Sequence, residues 1–145
     1  MTSTDLDAVN HIANHYWGKD YYESRKVYAN KLAHSPKLCR VLELDNKVQG
    51  YLVAHYYQLN TIPRLNDFLD IIPADSIHIH DIVILPEYRK KGWIQNVLRD
   101  IVATNICTLV AANKDPHTEA YWQNHWQFES TDQACDYGIY MVRHP

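Results

Sequence analysis

His78 and His80 stand two residues apart in the run Ile77-His78-Ile79-His80-Asp81-Ile82-Val83-Ile84. Residues two apart on an extended strand project from one face. Both imidazoles are therefore expected on one side of a strand, with Asp81 on the other, orienting a neighbour or bonding backbone. An imidazole titrates near neutrality and suits proton removal from an ammonium group. A pair of partly buried histidines bonded to neighbours has the same spacing. A His-x-His metal site would need a third ligand, and the spacing offers none. His11 and His15, four apart on a helix, also have ligand spacing, but a solvated face is the commoner meaning.

A second constellation follows directly. Leu85-Pro86-Glu87-Tyr88 turns the strand into Arg89-Lys90-Lys91-Gly92-Trp93-Ile94, which opens an amphipathic helix. The first amides of a helix lack intrahelical partners and carry the positive end of its dipole. Gly92 lets backbone approach a ligand closely, and three cations add charge. Together these suit a pyrophosphate. An ordinary basic helix start would have the same composition.

The elements that must position these groups follow from periodicity. Leu6, Val9, Ile12, Ala13 and Tyr16 have helical spacing, with Thr4 to Asp7 as a capping box and Gly18 as the stop. A second helix is expected over Tyr21 to Ala33, closed by Pro36. Leu38 to Leu44 and Val48 to Tyr57 read as a hairpin around Asp45-Asn46-Lys47. Residues 59 to 75 read as a loop with a helical turn at Leu65 to Leu69. A strand at 77 to 85, a helix over 92 to 104 and a strand at Ile106 to Ala112 make a β-α-β unit. Asn113-Lys114-Asp115-Pro116 turns the chain, His117 to His125 suits a helix, and Phe128 and Tyr137 to Val142 suggest closing strands. The C-terminal strand is expected to leave an edge open, a route to a homodimer.

The 145 residues fit one domain, 1–145, able to bury roughly 70% of its unfolded surface without metal or disulfide. Net charge is −3, and the only basic run is local, so nucleic acid is an unsuitable partner and any anionic ligand is small. Cys39, Cys107 and Cys135 form no CxxC pair and read as reduced thiols, the first and second buried. There is no leader-like segment and no apolar run near about 18 residues, so a soluble cytoplasmic protein without membrane contact is expected. Eleven tyrosines and four tryptophans are many for this length, serving either a ligand pocket or a core of large rings.

With strand, turn, basic loop and helix in this order, the chain resembles the GNAT superfamily of acyl-CoA-dependent N-acyltransferases. Arg89 and Gly92 match that family's Gln/Arg-x-x-Gly-x-Gly/Ala loop, whereas Ile94 stands where the family has a small residue. The hairpin Asn46 to Ala54 and the run Val83 to Tyr88 are also similar, and the resemblance covers roughly residues 38 to 128. It implies an α/β fold with a mixed, mostly antiparallel sheet, a central parallel strand pair and flanking helices. It implies acetyl-CoA as co-substrate. The backbone of Ile82, Val83 and Ile84 would bond the pantetheine, and the amides of Arg89, Lys90, Lys91, Gly92, Trp93 and Ile94 would hold the pyrophosphate. The Trp93 ring is expected mainly to pack on the sheet, and Asn113 and Asn124 are further pantetheine contacts.

His78 and His80 fall where arylalkylamine N-acetyltransferases carry paired histidines that relay a proton. Tyr121 resembles the family's tyrosine that protonates the leaving thiolate, although the surrounding segment is one residue out of register and lacks a glycine. The implied partners are a CoA thioester and a primary amine, attacked directly in a ternary complex with a strand amide, Ile82 or Val83, on the oxyanion. The acceptor would meet the N-terminal helices and the 59 to 75 loop, where Tyr21, Tyr22, Tyr56, Tyr57 and Phe68 are apolar and Asp67, Asp70 and Asp75 acidic. The rival expectation is a non-catalytic acyl-CoA-binding or protein-interaction domain on the same fold.

Overall fold

A computed structural model describes residues 1–113 and 117–145. Of the expected turn at 113 to 116, residues Lys114, Asp115 and Pro116 lie outside the described residues. Among the described residues, four helices, α1 (Leu6–Trp17), α2 (Arg25–His34), α3 (Trp93–Thr104) and α4 (Thr118–Trp126), flank six strands. The strands are β1 (Arg40–Leu44), β2 (Lys47–Tyr57), β3 (Ser76–Ile84), β4 (Cys107–Ala112), β5 (Glu129–Ser130) and β6 (Gly138–Arg143). They form one sheet in the order β1-β2-β3-β4-β6-β5. Only β3 and β4 run parallel; the other neighbours are antiparallel. This is the mixed, mostly antiparallel sheet with a central parallel pair.

The β1–β2 hairpin turns on Asp45 and Asn46, at φ 52° and 59°. Two left-handed residues match the twist of the flanking strands, and Asp and Asn tolerate that region best after glycine. Gly18, at φ 72°, ends α1 as expected. The N-terminal cap lies two residues earlier than the sequence suggested, with the Thr2 amide donating to Asp5 Oδ2 at 2.6 Å.

Three expectations need correction. The second helix starts at Arg25, not Tyr21; residues 22 to 24 form an extended connector that turns Glu23 inward. The 59 to 75 loop contains a turn near Leu65 but no helix. The outer edge of β6 is partly covered, because β5 pairs with Met141 and Val142 and the Thr131 amide donates to the Tyr140 carbonyl.

The two faces of the sheet carry separate cores. Under α3 and α4 lie Leu52, Ala54, Ile77, Ile79, Leu98, Leu109, Trp122 and Met141. Under α1 and α2 lie Leu6, Val9, Ile12, Tyr28, Tyr51, Val53 and Val83. Each helix buries the stripe its spacing dictates. Cys39 and Cys107 are buried free thiols, and His11 and His15 are exposed on α1. No helix among the described residues is long and apolar enough to cross a membrane.

Candidate active site

The site begins at an irregularity in β3. Val53 of β2 pairs with Asp81 and Ala54 with Ile79, so His80 is an extra residue between two ladder pairs. Such a bulge bends the strand and breaks its alternation. Ile77 and Ile79 face α3 and α4 before the bulge, and Ile82 does after it. His78, His80 and Asp81 all face the other side. The expectation that Asp81 points away from the histidines is therefore overturned, because alternation does not survive the bulge.

The bulge also coincides with the end of the parallel ladder. Ile77, His78 and Ile79 pair with Cys107, Thr108 and Leu109, and no β3–β4 pair is described beyond them. The strands splay, and a cavity of about 380 Å³ opens between them. Ile82, Val83 and Ile84 line it, so this stretch of β3 borders the cavity instead of pairing with β4. Such an edge can accept an extended ligand carrying amide groups.

Beyond the strand end lies the basic loop. Arg89 Nε donates to the Ile84 carbonyl at 2.9 Å, and its guanidinium carbon sits 5.7 Å from the Tyr16 ring centre. Lys90 (φ 60°) and Gly92 (φ 79°) are left-handed, which turns the chain sharply into α3. The first bond from the helix start runs from the Asn96 amide to the Gly92 carbonyl. The amides of Gly92, Trp93, Ile94 and Gln95 thus precede the helical ladder, the arrangement that favours an anion. A cavity of about 220 Å³ bounded by Lys90, Lys91, Gly92, Trp93 and Ile94 shares Ile84, Arg89, Ile94 and Tyr121 with the larger one. Trp93 and Ile94 also pack against the core under α3.

On the α1–α2 face, His80 is embedded in a charged network. Its Nε2 lies 2.6 Å from Glu23 Oε2, while Glu23 Oε1 accepts from Lys31 Nζ at 3.1 Å and from the Asn66 amide at 2.9 Å. The side chains of Lys31 and Glu23 are 0% and 2% exposed. Burial by itself would raise the Glu23 carboxyl, but His80, Lys31 and the Asn66 amide outweigh it and hold the group at about 2. An ionised carboxylate only accepts hydrogen bonds. His80 Nε2 must therefore carry a hydrogen, so Nδ1 is the ring atom at which a proton can be gained or lost. Burial pushes the Lys31 ammonium down, and Glu23 opposes that push.

Next to this network, His78 Nδ1 meets Thr108 Oγ1 at 2.8 Å. Burial, then the neighbouring His80, pushes His78 well below the ordinary histidine range, so it is neutral. The His78 and His80 ring centres are 6.2 Å apart, and His55 of β2 completes a triangle at 5.4 and 5.8 Å. Among the described residues, no group of three or more His, Cys, Asp or Glu could hold a metal ion. Asp81 accepts from Trp17 Nε1 (2.8 Å), Tyr28 Oη (2.9 Å) and Tyr51 Oη (2.5 Å). Burial raises its carboxyl against the pull of those donors, and the same burial, with Asp81 alongside, keeps both tyrosines as phenols.

Tyr121 lines both larger cavities from α4. Its hydroxyl accepts from Trp126 Nε1 at 3.2 Å, a bond that does not use its own hydrogen. Asn113 and Asn124 are exposed and border none of these cavities. The structure thus brings His78, His80, residues 82 to 84, the loop 89 to 94 and Tyr121 around connected spaces and leaves the two asparagines outside.

Sequence reasoning missed Glu23, Lys31 and the inward turn of Asp81. Lys31 had a signal: it stands four residues after Val27 and three after Tyr28, on the inward stripe of α2. Glu23 had none, since the connector has no periodicity.

Comparison with known proteins adds the family. No curated protein matches the sequence. The structure is similar to Ard1 from Thermoplasma volcanium, at TM-score 0.70 and 12% identity over 98% of this chain and 90% of that one. It is similar to PaiA N-acetyltransferase from Thermoplasma acidophilum, a complex with coenzyme A, at TM-score 0.68 and 14% identity over 100% and 96%. Arabidopsis thaliana Naa50, in complex with the bisubstrate analogue CoA-Ac-MVNAL, superposes at TM-score 0.66 and 13% identity over 98% and 93%. The sequence model of the acetyltransferase (GNAT) family matches residues 6–107, more than half of the chain. The chain therefore belongs to the acetyltransferase (GNAT) family and is by that membership an acyltransferase.

Proposed function

We propose that the protein is an acetyl-CoA-dependent N-acetyltransferase acting on a primary amine, with direct attack in a ternary complex and His80 as the base. The observation that carries this reading is the Glu23–His80 pair at the mouth of the splay, with Nδ1 of His80 left to accept a proton. Acetyl-CoA supplies an activated acetyl group. The β3 edge at Ile82 to Ile84 holds the pantetheine arm, and the amides of residues 89 to 95, with Arg89, Lys90 and Lys91, hold the pyrophosphate. His80 removes the ammonium proton, and His78, kept neutral by burial, stands behind it. The amide of Ile82 or Val83 faces the oxygen that becomes negative. Tyr121 gives its proton to the departing sulfur as the new C–N bond replaces the C–S bond. Holding amine and thioester together supplies much of the acceleration. Three free cysteines favour work in a reducing compartment such as the cytosol.

The test is an assay of purified protein with acetyl-CoA and primary amines, read by thiol release and by the product's mass. Acetylated amine is the expected result. Tight binding of acetyl-CoA without product would favour the non-catalytic acyl-CoA-binding domain, a reading that Ile94 at the junction of the two cavities supports.

A further inference from the structure

Off the splayed cleft, behind His80 and Asp81, lies a smaller cavity of about 50 Å³. It shares Trp17, His80, Asp81, Val110 and Ala112 with the cleft, so whatever fills it borders His80. Roughly 10–15 Å³ of such space takes one water, so the cavity has room for about four such groups. Its walls include four aromatic rings, Trp17, Tyr21, Tyr28 and Tyr137, and two carboxylates, Glu23 and Asp81. No lysine or arginine is among the lining residues. Lys31 offsets Glu23 from behind, so Asp81 and the aromatic faces are what attract a cation and repel a second negative charge.

The far side of the cavity is stitched shut. Tyr137 Oη donates to the Pro63 carbonyl at 2.7 Å. The Asn66 amide donates to Glu23 Oε1, and the Ser24 amide donates to Asn66 Oδ1 at 2.8 Å. The Leu69 amide donates to Asn30 Oδ1 at 2.8 Å. These bonds tie residues 63 to 69 to the α1–α2 connector, to α2 and to the start of β6. An acceptor with a chain trailing away from its amine would have to pass between the tied segments and break them.

We infer that the acceptor is a compact, cationic primary amine of about four to five non-hydrogen atoms, not a peptide N-terminus and not an amino acid. This inference deepens the N-acetyltransferase reading and rests on it.

The test compares kcat/KM for n-propylamine, β-alanine and a free pentapeptide beginning Met-Val, at saturating acetyl-CoA. n-Propylamine should exceed each of the others at least tenfold: β-alanine brings a carboxylate against Asp81, and the peptide meets the segments tied by Tyr137 and Asn66. Tyr137→Phe, which removes the tie to Pro63, should narrow the gap between peptide and n-propylamine through KM. Peptide or β-alanine turnover equal to that of n-propylamine would overturn the inference and leave the acetyltransferase reading standing. No turnover of any amine, with acetyl-CoA bound, would overturn both.

Discussion

The two faces of the sheet solve burial differently. Under α3 and α4 the space is filled by side chains such as Leu98, Leu109 and Met141, which need only shape. Under α1 and α2 the same depth holds Glu23, Lys31, His55, His78 and Asp81, which need partners. Among the described residues, all but one of the buried side-chain nitrogens and oxygens find one; His55 Nε2 is left over. A buried ion pair is a poor way to gain stability, since replacing it with apolar residues is often neutral or better. Charge loaded onto one face at that cost is what the proposed chemistry at His80 would require of it.

The contrast can be broken first at Lys31. Lys31→Met leaves the buried Glu23 carboxylate with two of its three partners and without its lysine cation, and urea unfolding should show a loss of about 3–5 kcal/mol. An unchanged midpoint would remove the ion pair from the account. On the apolar face, Leu98→Ala should cost about 2–5 kcal/mol through its cavity, and the loss should not depend on pH.

The charged face should depend on pH. The Glu23 carboxyl is lowered from 4.5 to about 2 on folding. A depressed acid contributes stability that is fully present above the unfolded value and is lost as pH falls through the folded one. The stability difference between wild type and Glu23→Gln should therefore shrink from about pH 4.5 to 2, and a level difference would contradict the assignment. His80→Gln keeps a donor for Glu23 but loses the basic nitrogen. It should lower kcat/KM by about 100-fold or more while the calorimetric affinity for acetyl-CoA stays put. The smallest effect is expected at the loop: Arg89→Glu should weaken acetyl-CoA about tenfold, or about 1.4 kcal/mol, with kcat little changed.

Much of this architecture was legible in the sequence. Strand order around β3, α3 and β4 followed from periodicity, and the loop from Pro86, Arg89 and Gly92. Local rules reached that far because each of these elements carries its own hydrophobic period and its own turn or stop residues. The charged network was not legible, because its members come from a connector, a helix and a strand, and only the folded chain puts Glu23 beside His80. Tyr121 was named from the resemblance alone, and it lines both larger cavities. Asn113 and Asn124 were named on the same ground, and both are exposed. Lys31 was overlooked because lysine is rarely buried, even though its spacing pointed inward.

The bulge at His80 acts as a change of phase. Upstream, Ile77 and Ile79 belong to the apolar face; downstream, Ile82 does, while Val83 packs with Tyr51 and Val53 on the other. Anyone grafting the downstream half of β3 onto a relative, or aligning the two by hydrophobic pattern, must carry that single extra residue across. Omitting it would exchange the two faces for every position from Asp81 to Ile84, and the grafted strand would present to each core the side chains that belong to the other.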